Sequence, residues 1–315
     1  MKSSTKKKFI EPKVHCLPPP IVGVAETGTL ISGLRLEVAD DKNLRRTYFT
    51  PQSFAHPAKL NLWLVQWLVE RYTRPNDILF DPMAGSGSLM YAALLQRNVV
   101  LRDVESWCIQ LMQDNALNIF QSAGLFAGNI SVGFGDARQN WGCTGQQQQP
   151  DVIITSPPYG CSVSPTVGTR SSYLDRKASK LAEVESYSER WTRLLKNATP
   201  GATGFQMFHY GSSPGQVGHY RGKRYWQVMG EIYQQAFVSL KPGGLMVLIL
   251  KDHIKYGQLV ATCDQTVQLC ETLGFTPLER HQRIIGNPSM WQRQRREKGL
   301  PFVGHEDILV FRKPR

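Results

Sequence analysis

Three short apolar runs, Ile78-Leu79-Phe80, Val99-Val100-Leu101 and Val152-Ile153-Ile154, constrain this chain more than any other feature. The first ends at Asp81-Pro82, the second leads to Asp103, and the third ends at Ser156-Pro157-Pro158-Tyr159. Runs this short and this apolar read as strands buried on both faces. A fourth strand is expected over Leu245 to Leu250 and another over Ile130 to Phe134. Between them the apolar period changes from strand to helix. Leu60, Trp63, Leu64, Trp67 and Leu68 share one helical face, which predicts a helix from about Ala58 to Arg71. Met229, Ile232, Tyr233, Ala236, Phe237 and Leu240 form a second stripe, stopped by Pro242-Gly243-Gly244. Further helices are expected over Leu89 to Gln96, Ser106 to Ala123 and Leu259 to Leu273, the last capped by Gly274. Alternating strands and helices imply an α/β fold with a doubly wound, mostly parallel sheet. Strands near Arg280 to Ile285 and Ile308 to Phe311 are expected to pair antiparallel at the C-terminal end.

The composition bounds the function classes. With 315 residues, 41% apolar and 20% charged, the chain is globular rather than disordered. It has no run of about 18 apolar residues, so no membrane span is expected. Lys6-Lys7-Lys8 is followed by no apolar stretch, so no secretory signal is expected either. Lys and Arg total 37 against 25 Asp and Glu, a net charge of +12, which points to a polyanionic partner. The six cysteines, at 16, 108, 143, 161, 263 and 270, form no Cys-x-x-Cys pair, so no metal site is expected. Dispersed thiols suit a reducing, cytoplasmic compartment. Residues 1–45 read as a basic, mobile extension ahead of a domain over 46–315, with an insert at 160–224 and a basic loop at 286–305.

The chemistry concentrates where strands end. Asp81, Pro82, Met83, Ala84, Gly85, Ser86, Gly87 and Ser88 lie between a strand and a helix, and the glycines permit a tight turn against a ligand. A dinucleotide fingerprint would place a third glycine at Met90, and no Gly-Lys-Ser/Thr of a phosphate loop follows. The loop therefore suits a nucleoside without a pyrophosphate, and S-adenosylmethionine (SAM) is the candidate. Asp103 ends the next strand and is placed to accept from ribose hydroxyls, with Glu105 as its competitor. Asp136 and Ala137 follow a further strand, where Asp136 is either an adenine contact or a plain turn residue. In Ser156-Pro157-Pro158-Tyr159 the two prolines fix the backbone and leave carbonyls free. The Ser156 hydroxyl and Pro157 carbonyl could each accept a proton of a planar exocyclic amine, with Tyr159 stacked on the base.

These stretches, with Phe54-Ala55-His56-Pro57-Ala58-Lys59 ahead of them and Leu240 to Gly244 behind, resemble the amino-group (N4-cytosine and N6-adenine) DNA methyltransferases. Their order resembles the gamma arrangement of that family. The resemblance implies a Rossmann-like SAM-dependent methyltransferase fold. It implies that Phe54, His56, Asp81 to Ser88, Asp103, Asp136 and Ala137 hold SAM, and that Ser156 to Tyr159 hold a flipped base. Serine before Pro-Pro leans toward cytosine N4. It implies double-stranded DNA as partner, a nucleoid-associated location and a restriction endonuclease acting on the same site. The basic segments Arg221, Lys223, Arg224 and Arg293, Arg295, Arg296 are the candidates for DNA phosphates. N6-adenine methylation of DNA and guanine-N2 methylation of RNA stand as alternatives, since the latter enzymes also use a Pro-Pro-Tyr segment.

Overall fold

In the computed structural model, which describes residues 15–16, 21–24, 30–56, 59–123, 127–142, 149–158, 213–286 and 290–315, the apolar runs assemble into one mixed sheet. Four short strands come first: β1 (His15–Cys16), β2 (Ile21–Val24), β3 (Leu30–Gly33) and β4 (Arg35–Glu37). The central strands follow as β5 (Ile78–Asp81), β6 (Asn98–Asp103), β7 (Ile130–Phe134), β8 (Val152–Thr155) and β9 (Leu245–Leu250). A hairpin, β10 (His253–Lys255) and β11 (Gln258–Val260), stands apart from the sheet, and β12 (Thr276–Ile284) and β13 (His305–Arg312) complete it. The spatial order is β1-β4-β12-β13-β9-β8-β5-β6-β7. Strands β5 to β9 pair in parallel, and β13 runs antiparallel to both β9 and β12, as expected. Strand β5 has β6 on one side and β8 on the other, so the order reverses there. Loops leaving the carboxyl ends of β5 and β8 therefore frame a crevice, the usual ligand position in such sheets.

Helices cover both faces. On one lie α1 (Lys42–Tyr48), α2 (Leu62–Tyr72), a 3-10 segment (Ser88–Leu95) and α3 (Ser106–Ala123). On the other lie α4 (Gly222–Ser239) and α5 (Thr262–Thr272), while α6 (Met290–Glu297) links β12 to β13. Along β8 the pleat separates the layers: Val152 and Ile154 pack into the first, Ile153 into the second. Val152, Ile153 and Ile154 thus serve two cores from one strand.

Several elements differ from expectation for identifiable reasons. The helix expected from Ala58 begins at Leu62, because the Asn61 side chain accepts from the amides of Trp63 and Leu64 at 2.9 and 3.1 Å and caps it there. The helix expected after Ser88 is 3-10, entered from Gly87 and closed by Gln96, both left-handed. The helix expected from Leu259 starts at Thr262. Leu259 belongs instead to a hairpin that turns at Tyr256 and Gly257, both at positive φ. The basic loop at 286–305 contains helix α6. The extension 1–45, read as a mobile arm, adds strands to the sheet over its described part. β3 and β4 pair with β12, Leu36 is buried, and the Arg45 guanidinium donates to Leu60 O at 2.7 Å and Ser88 Oγ at 3.2 Å.

Candidate active site

One cavity of about 490 Å³ opens at the carboxyl ends of β5, β6, β8 and β9. It is lined at one end by His56, Asp81 to Ser86, Ser88 and Asp103, in the middle by Ser156 and Pro158, and at the other end by Ile249, Lys251, Arg283 and Glu306. Gly135, Ala137 and Gly215 to Val217 also border it.

The glycine loop is held from three directions. Asp81 Oδ1 accepts from the Met83 amide at 3.0 Å, and Asp103 Oδ2 accepts from the Gly85 amide at 2.8 Å. Asn115, fully buried on α3, donates to Ser86 O at 3.1 Å. Its Oδ1 accepts from the Thr50 amide, Thr50 Oγ1 and Ser53 Oγ, each at 2.9 Å. One side chain therefore joins the segment before His56 to the loop. Gly85 lies at φ 53°, and a Cβ there would come within 2.8 Å of the His56 ring. That ring packs at a tilt against Trp107, with centroids 5.3 Å apart. Only glycine fits this backbone position without displacing the ring.

Two carboxylates face the cavity, Asp81 at the end of β5 and Asp103 at the end of β6. Burial raises the Asp81 pKa to about 7, with the Asp103 charge adding to it and the Met83 amide opposing it. Burial raises Asp103 to about 6, against the amides of Glu105 and Gly85. Such a pair is poised for a cationic ligand. The donors and acceptors present, with the glycine cradle, fit SAM, which carries an ammonium and a sulfonium. Between the competing acids the structure distinguishes by engagement. Glu105 does not border the cavity; it accepts from the Ser213 amide, Ser213 Oγ and Gln216 Nε2 at 3.0, 2.9 and 3.1 Å. It pins the chain's return into the fold.

The other expected residues divide. His56, Asp81 to Ser86, Ser88, Asp103, Ala137, Ser156 and Pro158 share the cavity. Gly87, Phe54 and Asp136 do not border it. By sequence Asp136 is either an adenine contact or a turn residue; Arg138 grips its carboxylate through Nε at 2.9 Å and Nη2 at 2.5 Å. Burial opposes ionisation of Asp136, but Arg138 outweighs it and holds the carboxyl below its usual range. Pro157 is buried and does not border the cavity. Tyr159, most of the 160–224 insert and Pro57 and Ala58 lie outside the described residues. Lys59, beside His56, borders the cavity and donates to Phe54 O and His56 O; burial brings its pKa to about 8.

The basic segments sit at the cavity end of the sheet. Arg221, Lys223 and Arg224 open α4, which descends from the crevice, and all three are exposed. Arg293 and Arg296 are exposed on α6, which follows the carboxyl end of β12. Arg295 is a structural tether instead, donating to Pro301 O at 2.6 Å and Gly257 O at 3.3 Å. Sequence reading missed Asn115. Its signal was an amide among Leu111, Met112 and Ile119 on the apolar face of α3.

Residues 51–198 match a family model described as UPF0020, the RMKL-like methyltransferase domain. That stretch of the chain is similar to a methyltransferase domain. The match covers the loop, Asp103 and the Ser-Pro-Pro segment. No curated protein matches the sequence. Among solved structures the chain is similar to TrmN from Thermus thermophilus, at 16% identity and a TM-score of 0.44 over 85% of this chain. It spans 52% of that protein's length. It is also similar to a putative RNA methyltransferase from Pyrococcus horikoshii, at 16% identity and TM-score 0.41, covering 81% of this chain and 83% of that one. A third likeness is magnesium protoporphyrin IX methyltransferase from Synechocystis, at 12% identity and TM-score 0.42, covering 79% and 80%. No described helix is long and apolar enough to cross a membrane.

Proposed function

We propose that the protein methylates an exocyclic base amine in RNA, with guanine N2 as the acceptor. The observation that carries this reading is the shared cavity. Gly85 and Asp103 at one end, and Ser156 and Pro158 in the middle, border one space. SAM supplies an electrophilic methyl group on a sulfonium. The chain's own part is placement. The Gly85 cradle and the Asp81 and Asp103 carboxylates fix the cationic ligand. The Ser156 hydroxyl accepts a hydrogen bond from one amine N–H and orients the nitrogen toward the methyl. An aromatic amine is a poor nucleophile because its lone pair is delocalised into the ring. Orientation and fixed acceptors therefore supply most of the acceleration.

The match over residues 51–198 is to RNA methyltransferase-like domains, guanine-N2 types included, and this supports RNA over duplex DNA. One observation keeps cytosine N4 of DNA as a second reading: the residue before Pro157-Pro158 is serine. Tritium transfer from SAM to unmodified RNA and to duplex DNA, with the product nucleoside identified after digestion, separates them. N2-methylguanosine is expected. N4-methylcytosine from DNA, with no label in RNA, would overturn the RNA reading.

A further inference from the structure

Three charged side chains at the far end of the cavity belong to none of the motifs above. Lys251 follows β9, Arg283 lies on β12, Glu306 lies on β13, and all three line the cavity. Sheet register sets them in one row. Asp307 is paired with Leu250, which puts Glu306 across from Lys251, and Arg283 is paired directly with Glu306. The row therefore runs positive, negative, positive across three neighbouring strands.

Its hydrogen bonding is incomplete among the described residues. Glu306 Oε2 accepts from Arg283 Nη1 at 2.6 Å, and Oε1 has no partner. Lys251 makes no hydrogen bond, and Arg283 Nε is buried without one. Burial lowers the Lys251 pKa, with the Glu306 charge opposing that effect. Leaving the buried Arg283 Nε unpaired is costly, while Glu306 and Lys251 are half-buried. The free capacity is one carboxylate oxygen and cationic donors, beside the position assigned to the amine.

We propose that this row reads the Watson–Crick edge of a guanine whose N2 amine sits at Ser156, with Glu306 accepting from N1–H and Lys251 donating to O6. The inference depends on the function proposed above and specifies its acceptor. Moving away from the reactive amine, guanine presents a donor and then an acceptor. Cytosine beside its N4 amine presents two acceptors, N3 and O2, and adenine beside its N6 amine presents the acceptor N1. Either would set a lone pair against the Glu306 carboxylate. Guanine alone gives that carboxylate a proton to accept. Arg283 fixes the carboxylate through the ion pair and acts as a positioning residue.

The test uses the full chain with a pool of unmodified tRNA and ribosomal RNA, and the methylated nucleoside is identified and mapped. In a synthetic RNA spanning the mapped site, the target guanine is then replaced by 2-aminopurine. That base keeps the N2 amine but has a lone pair at N1 and no O6. Wild-type protein should prefer guanine by at least about 100-fold in kcat/KM, because a site built around a donor rejects the analogue lacking it. Glu306→Gln, whose amide can donate to N1, should shrink that preference at least about tenfold. Lys251→Met should weaken guanine transfer and leave 2-aminopurine transfer unchanged. The emission of 2-aminopurine on leaving the base stack reports binding separately from methyl transfer. Glu306→Gln should strengthen it. N2-methylguanosine from the wild type, with the same preference and the same emission in Glu306→Gln, would overturn the row and leave the function standing. Methylation of another base, or no label in either RNA, would overturn the function itself.

Discussion

Replacing Asn115 by leucine tests whether a single buried amide sets the geometry of the glycine loop. The substitution keeps the side chain's branching and improves helix propensity on α3, so a loss of stability cannot come from the helix itself. Four hydrogen bonds disappear: three into Asn115 Oδ1, from the Thr50 amide, Thr50 Oγ1 and Ser53 Oγ, and one from its Nδ2 to Ser86 O. The two hydroxyls lie 3.3 Å apart and can satisfy each other. The Thr50 amide and the Ser86 carbonyl are left, and Ser86 is buried. Stranding two such groups costs about 1–3 kcal/mol each, so a total near 3 kcal/mol is expected. Urea denaturation monitored by circular dichroism reads the stability change, and calorimetry reads SAM affinity, which should fall about tenfold as the loop loosens. A variant with wild-type midpoint and wild-type affinity would show that the loop does not depend on this junction.

Three further outcomes follow from the cavity. Gly85→Ala places a side chain at φ 53° within 2.8 Å of His56, and should cost about 1–3 kcal/mol in stability and abolish measurable SAM binding by calorimetry. Asp81 and Asp103 have folded pKa values near 7 and 6, above their unfolded values, so each favours folding at low pH and costs stability as pH rises toward those values. A cationic ligand reverses that cost. SAM affinity should therefore rise about tenfold per unit up to pH 7, more steeply below 6, and level off above; a flat profile from pH 5 to 8 would refute it. Neutralising Arg293 and Arg296 together should flatten the logarithmic salt dependence of RNA binding by about 1.4, at about 0.7 per phosphate contact, whereas an unchanged slope would remove α6 from the interface.

What the sequence made legible follows physical locality. A strand buried on both faces needs only its own residues, so Ile78–Phe80 and Val152–Ile154 could be read directly. The loop after Asp81 was legible because Gly85 answers a backbone demand within a few residues. Asp136 stayed open between an adenine contact and a turn residue because its partner, Arg138, is set by local side-chain geometry that spacing does not reveal. The start of α2 was misjudged because periodicity marks a helix face and the Asn61 cap marks its end. The Lys251–Glu306–Arg283 row was illegible for a different reason. Its members are joined only by the register of β9, β13 and β12, and one residue of slip would send the row to the other face.

The charge on the cavity walls suggests why the two halves take different ligands. The end formed by β5 and β6 presents the carboxylates of Asp81 and Asp103 on a glycine loop. The end formed by β9, β12 and β13 presents two cations around one carboxylate. A sulfonium nucleoside is favoured at the first and disfavoured at the second by the same field, and the carbonyl edge of a base has the opposite preference. Ser156 stands at the boundary, where in the proposed reaction the amine approaches the methyl group. The exposed basic residues on α4 and α6 extend the second half outward at the cavity end of the sheet. A polyanionic strand held there would deliver its base to the cationic half, and the net charge of +12 would contribute mainly to capture and not to the chemical step. Charge and function are thereby separable. Neutralising rim cations should raise KM for RNA with kcat nearly unchanged, whereas Ser156→Ala should lower kcat with KM nearly unchanged. Steady-state kinetics on both variants decides it. Equal losses in kcat would mean that the rim also positions the reacting base.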